Sequence, residues 1–295
     1  GLGDVYKRQF LGGAAILAAA VVIVKLIGAA YKIPLSNILG SAGQTYFDTA
    51  YQIYNFLLTF STAGLPLAIS RMTSQAHAKG LENEKRRIFS TAIWLFFGLG
   101  LVCSVLMFFR ADALARFLNN SLAATAVQAL APAVFCVCLL ACMRGYTQGQ
   151  GNMKPTAISQ ILEAMCKVCI GLPLAWYLLK LGKGLDIGAA GAIFGVTVGT
   201  ILSMLFLIAY MLTHRDRTQA LDTPDSSGSI MRQVLAIGVP ITLSNSAMSI
   251  ITLIDTSNVL GRLRTIPELA DSAATLFGQY QFGMNLINLP PSFVF

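Results

Sequence analysis

The chain has 295 residues, of which 12% are charged and 55% apolar, with a mean hydropathy of +0.67 and a formal net charge of +8. Charged residues reach about half their usual share in soluble domains, which excludes a soluble globular fold. Most of the length is taken up by uncharged or nearly uncharged apolar runs of about 18 residues or more, the length that crosses a bilayer as a helix.

The polar start Gly1–Gln9 breaks the pattern that follows and is set aside as a leader that does not form part of the fold. Eight helix-length apolar segments come next. They are Phe10–Ala30, Thr45–Ser70, Ile88–Phe109, Leu122–Met143, Thr156–Leu179, Ile187–Leu212, Gln233–Leu260 and Ala273–Phe295. None alternates with the period of two that marks a barrel strand, so the expected fold is all-α, a polytopic membrane helix bundle. The longest connections are Arg71–Arg87 and Thr213–Arg232, and the second contains the linker-like Asp222-Thr-Pro-Asp-Ser-Ser-Gly228. The expected division is a six-helix unit over 10–212, a linker over 213–232 and the first two helices of a second unit over 233–295, with the parent chain continuing beyond Phe295. Tyr51-Gln52 and Asn55, with Pro66 further on, are echoed by Tyr280-Gln281, Asn285 and Pro290, as a duplicated six-helix unit would require.

The positive charge reads as topology. With the N-terminus in the cytoplasm, 12 of the 21 Lys and Arg fall inside, Arg144 among them, 7 fall outside and Lys25 and Lys167 lie within spans. That bias follows the positive-inside rule for a bacterial cytoplasmic membrane and favours contact with anionic lipid over nucleic acid. The six cysteines all lie in apolar segments; Cys166 and Cys169 have C-x-x-C spacing without a second pair or a nearby His, so small buried hydrophobes are expected and no metal or other cofactor.

No catalytic constellation or phosphate loop is present, and transport is the work such a chain can do. Its candidate residues are the charges within spans, each costing about 2.5–3.5 kcal/mol at mid-bilayer unless paired or wet. Glu163 and Lys167 stand four apart, the order that pairs within a helix, or else line a cavity that binds an anionic head group or a coupling ion. Lys25 and Asp255, near the outer ends of the first and seventh segments, either snorkel independently to the interface or form a salt bridge that closes an outer mouth. Asn245 is a further polar candidate on the seventh segment. Thr45, Asp48, Thr49, Gln52 and Asn55 recur at three- and four-residue steps, a polar stripe expected to line the cavity, while Tyr46, Tyr51 and Tyr54 have the character of interfacial anchors. Gly64-Leu-Pro66 and Pro240 are expected to interrupt the second and seventh helices. Gly191, Gly195 and Gly199 form a small-residue stripe for close packing of the sixth.

The most specific stretch runs from Arg144-Gly-Tyr-Thr-Gln-Gly149 through Met153-Lys-Pro-Thr-Ala157 to Ser159-Gln160 and Glu163. It resembles the fourth-to-fifth helix connection of the polysaccharide biosynthesis and stage V sporulation protein B family. Lys25-Leu-Ile-Gly28, Tyr31-Lys-Ile-Pro34, Gly40, Ile69-Ser-Arg71, Gly238-Val-Pro-Ile-Thr-Leu-Ser244 and Ile254-Asp255 resemble it too, so that the likeness covers about residues 10–295. The resemblance implies two six-helix lobes around a central cavity. It also implies flipping of undecaprenyl-linked saccharide precursors by alternating access, helped by an ion gradient or the membrane potential. Related flippases carry several cavity arginines on the first two helices; here the diphosphate-binding role passes to Lys25, Lys32 and Arg71. Two alternatives stand beside it: a cation-coupled drug or metabolite exporter, which Asp48 would favour, and a non-transporting scaffold in cell-wall or spore assembly.

Overall fold

The computed structural model describes residues 2–62, 64–214 and 222–287, with side chains over 12–59, 64–214, 222–247 and 249–284. Among the described residues there are α-helices and no strands: α1 Leu2–Thr62, α2 Leu65–Ala78, α3 Glu82–Phe109, the short α4 Ala111–Phe117, α5 Ala124–Gly149, α6 Lys154–Cys166, α7 Leu172–Lys180, α8 Leu185–Thr213, α9 Ser227–Thr265 and α10 Ala273–Ile287. A single π turn, Lys167–Gly171, joins α6 to α7. Every apolar segment read from the sequence is helical where it is described, apart from a bend at Gly64 in the second, and Pro290 together with the Asn285 side chain lies outside the described residues.

The first two segments form one helix path. Residues 31–44 continue α1 and do not form a loop, and the turn is confined to Gly40, whose φ of 64° belongs to the left-handed region that glycine tolerates. Tyr31, Leu35 and Leu39, four residues apart, are each 1% exposed. That stripe gives the connecting stretch an apolar face to bury and explains why it stays helical. Lys32, expected in an outer connection, is therefore a helix residue. The path is also helical from Leu2, through the stretch set aside as a leader.

α5 is the central helix, with Ala, Val and Cys side chains buried along nearly its whole length. Around it the usual inside-out order is inverted. α3 turns Trp94, Leu101, Val105, Leu106 and Phe109 outward, with Trp94 70% exposed. Lipid tails are as apolar as these side chains, so apolar exteriors cost nothing in a bilayer, and close backbone approach becomes the packing force. The Gly191, Gly195 and Gly199 stripe of α8 works in this way: a methyl group on Gly199 would lie 2.8 Å from the Glu163 carbonyl, and one on Gly195 would collide with the Gly171 backbone.

The Arg-Gly-Tyr-x-Gln-Gly stretch is helical through Gly149, and the turn follows it at Gly151, with φ 76°. Gly145 and Gly149 face α2, where added methyl groups would meet the Pro66 and Ser70 carbonyls at 2.7 and 2.6 Å. Of the two expected interruptions, only one occurs. The helix path breaks between α1 and α2 beside Gly64, but α9 runs through Pro240 unbroken. A proline removes only its own N–H from the ladder, and a membrane helix tolerates that where neighbours support the backbone.

α9 and α10 pack mainly on α1, with α9 also against α2 and α3. The Thr45 hydroxyl donates to the Ala274 carbonyl at 2.5 Å, the Thr256 hydroxyl to Gln52 Oε1 at 2.5 Å and the Gly64 N–H to Thr242 Oγ1 at 3.1 Å. At one end of the bundle the 213–232 connection is strapped to α3. The Asn83 and Glu84 N–H groups donate to the Asp222 carboxylate at 3.0 and 2.9 Å, capping the helix N-terminus, and Glu84 in turn accepts from the Asp225 N–H. Lys85, 1% exposed, is held there by Glu82 at 2.6 Å and His77 Nδ1 at 3.2 Å.

Candidate functional site

A cavity of about 420 Å³ opens between α1, α5 and α6, walled in part by Lys25, Tyr31, Tyr51, Arg144, Glu163 and Lys167. Each wall residue is placed by a local feature of its element. Arg144 reaches the cavity because α5 continues past Met143, so this arginine, expected in a cytoplasmic connection, sits on a helix inside the bundle. Its Nε donates to Ser159 Oγ at 2.9 Å and its Nη2 to Glu163 Oε2 at 3.2 Å.

Glu163 and Lys167 do not pair with each other. The helical bond from the Lys167 N–H to the Glu163 carbonyl is kept and the π turn begins only at Lys167, so the two side chains part because each finds another partner. The ammonium lies instead 4.7 Å from the ring centroids of Tyr31 and Tyr51 and 5.9 Å from that of Phe47. Glu163 is left to Arg144. A second cavity of about 260 Å³, with Tyr54, Pro66 and Gln148 in its wall, shares Arg144 and Glu163 with the first. The Arg144–Glu163 pair is thus the partition between two chambers.

The polar stripe of the second segment goes elsewhere. Thr45 and Gln52 bond to α10 and α9, Thr49 accepts from Asn120 Nδ2 at 2.9 Å, and Asp48, 7% exposed, lies 3.8 Å from Lys32. Asn55 is exposed. None of these lines the cavity. The tyrosines expected as interfacial anchors are the inward residues: Tyr54 is 3% and Tyr46 9% exposed, and Tyr51 forms cavity wall. Arg71, Asn245 and Asp255 are exposed on α2 and α9, away from the cavity wall, and no ion pair joins Lys25 to Asp255 among the described residues.

Sequence reasoning found Lys25, Glu163 and Lys167 but missed Arg144, Tyr31 and Tyr51 as wall residues. The signal for Arg144 was present: it stands fifteen and nineteen residues before Ser159 and Glu163 within the motif-bearing stretch. The cysteines are all free; Cys136, Cys138 and Cys142 are buried as expected, whereas Cys169 is exposed on the outside of the π turn. No group of His, Cys, Asp and Glu able to hold a metal occurs among the described residues.

Apolar helices with an outward apolar surface, built around a basic and aromatic internal cavity, define a polytopic α-helical membrane protein. The chain belongs to the polysaccharide biosynthesis protein family, which it matches over residues 10–295. It is 27% identical to stage V sporulation protein B of Bacillus subtilis (strain 168) over 96% of this chain and 55% of that protein. It is 26% identical to the lipid II flippase MurJ of the same organism over 69% of this chain and 39% of that protein. The chain therefore spans about half or less of the length of these relatives. Among solved structures, a crystal structure of MATE in complex with MaD3S superposes with a TM-score of 0.72 at 19% identity, covering 96% of this chain and 62% of that one, which shows a shared fold.

Proposed function

We propose that this chain is part of a flippase that moves undecaprenyl-linked saccharide precursors across the bacterial cytoplasmic membrane by alternating access. On this reading residues 10–212 form the first lobe, 213–232 a cytoplasmic linker and 233–295 the start of the second lobe, with the N-terminus in the cytoplasm. The observation that carries the proposal is the charge of the cavity: Lys25, Arg144 and Lys167 against Glu163 alone. An internal site with excess cation suits a diphosphate head group. The buried Tyr31 hydroxyl and Gln160 Oε1, without protein hydrogen-bond partners among the described residues, are groups that sugar hydroxyls would satisfy. The name of one curated relative, a lipid II flippase, points to a lipid-linked precursor as well. Asp48, the acid that would favour a cation exporter, faces Lys32 and does not line the cavity.

The test uses the full-length gene in bacteria depleted of their own peptidoglycan-precursor flippase, measuring how much lipid-linked precursor an external probe can reach. Restored exposure that is lost with Lys25→Ala is the expected result. Restoration unaffected by Lys25→Ala removes the cationic site from the mechanism. No restoration by a well-expressed protein removes this precursor and leaves another polymer lipid. A scaffold would be indifferent to Lys25→Ala in a growth or spore-assembly assay.

A further inference from the structure

The environment of Lys167 is that of a bound organic cation. Tyr31 comes from one side of the Gly40 kink in α1, Phe47 and Tyr51 from the other, so the kink folds three rings around one point. Phe47 and Tyr51 are stacked, with centroids 5.6 Å apart and planes 11° from parallel, and Tyr31 and Phe47 are each 1% exposed. Several aromatic faces converging on an ammonium in a desolvated wall is how proteins recognise quaternary and alkyl ammonium ligands. Here the ammonium is the protein's own, and it makes no ion pair with Glu163, the carboxylate four residues earlier, which Arg144 holds instead.

We infer that Lys167 is a tethered occupant of an organic-cation site, a specificity determinant that closes the cavity to organic monocations and thereby fixes the sign of charge the cavity admits. The charges around the cage support this. Arg144 is engaged with Glu163 and Lys32 with Asp48. Neutralising Lys167 would leave both pairs intact and remove a positive charge from between the rings, so the cage would face two carboxylates with one cation fewer. The same lysine keeps the cavity basic, so one side chain both attracts an anionic head group and excludes a cationic competitor. The inference concerns which charge the cavity admits and stands apart from the identity of any transported lipid.

The probe is benzyltrimethylammonium, which cannot donate a hydrogen bond and so reports the ring faces alone. Its binding to the full-length protein in detergent is measured by calorimetry. Lys167→Gln is expected to bind it about tenfold more tightly than the wild type, in keeping with one desolvated cation–π site. Lys167→Arg, which keeps the charge, should show no gain, and Lys167→Gln combined with Tyr51→Leu should lose it. A folded Lys167→Gln protein without any gain overturns the inference, as does a gain that survives Tyr51→Leu. A second variant covers the case in which Lys167→Gln does not fold. For Lys167→Ala, n-propylammonium, the chemical equivalent of the missing side-chain tip, is expected to raise the melting temperature of the variant and not that of the wild type. Equal shifts in both proteins would overturn the proposal.

Discussion

The two sides of α1 use polarity in opposite ways. One side carries Thr45, Gln52 and, at the break that follows the helix, Gly64; all are bonded to α9 or α10. The other carries Tyr31 and Tyr51, which hold Lys167 and line the cavity. The side richer in hydroxyl and amide groups is the packing seam, and the aromatic side is the candidate site. In a membrane a short polar side chain gains most by bonding to a neighbouring helix, whereas a cavity that must take a charge needs groups able to meet it across space. A polar stripe on a spanning helix therefore locates a partner helix as readily as it locates a cavity.

The comparison can be broken hardest at Gly64. A methyl group there would collide with the Gly238 carbonyl, so Gly64→Ala is expected to cost about 3 kcal/mol through backbone displacement. Gly98 has open space around the same position, and Gly98→Ala should be neutral or slightly stabilising. Unfolding midpoints in detergent compare the two, and similar losses in both would dissolve the idea of a tight seam.

On the cavity side, Arg144→Ala leaves the half-buried Glu163 carboxylate without its partner. A loss of about 2 kcal/mol is expected, partly recovered by adding Glu163→Gln, because a neutral amide is cheaper to leave unpaired. Strict additivity in this double-mutant cycle would mean that the pair does not function as a unit. The smallest effect is expected at Thr256→Val, which deletes one interhelical hydrogen bond and should cost about 0.6 kcal/mol. Cation binding by the Lys167→Gln protein should be unchanged by it, since the seam and the cage lie on different sides of α1. A change in that binding would couple the two sides.

Much of the architecture was legible because the signals are local. Uncharged length marks each span, Gly64-Leu-Pro66 marks a break, and the three glycines of α8 mark a close contact, each of which depends on a few consecutive residues. Lys25, Glu163 and Lys167 were legible as candidates for the same reason, since a charge inside an apolar run is costly wherever the run goes. The partners of those charges were not legible. Glu163 meets Arg144 and not Lys167, although the helical bond between their backbones is intact, because each side chain finds its partner on another helix, and no spacing rule announces that choice. Tyr31 and Tyr51 are twenty positions apart and meet one ammonium only because Gly40 folds α1 back on itself. The sequence by itself determined that this chain is a polytopic helical bundle with charges in its interior. Only the tertiary structure decided which charges face one another, because pairing across helices depends on register and kink angles that are set when the helices pack.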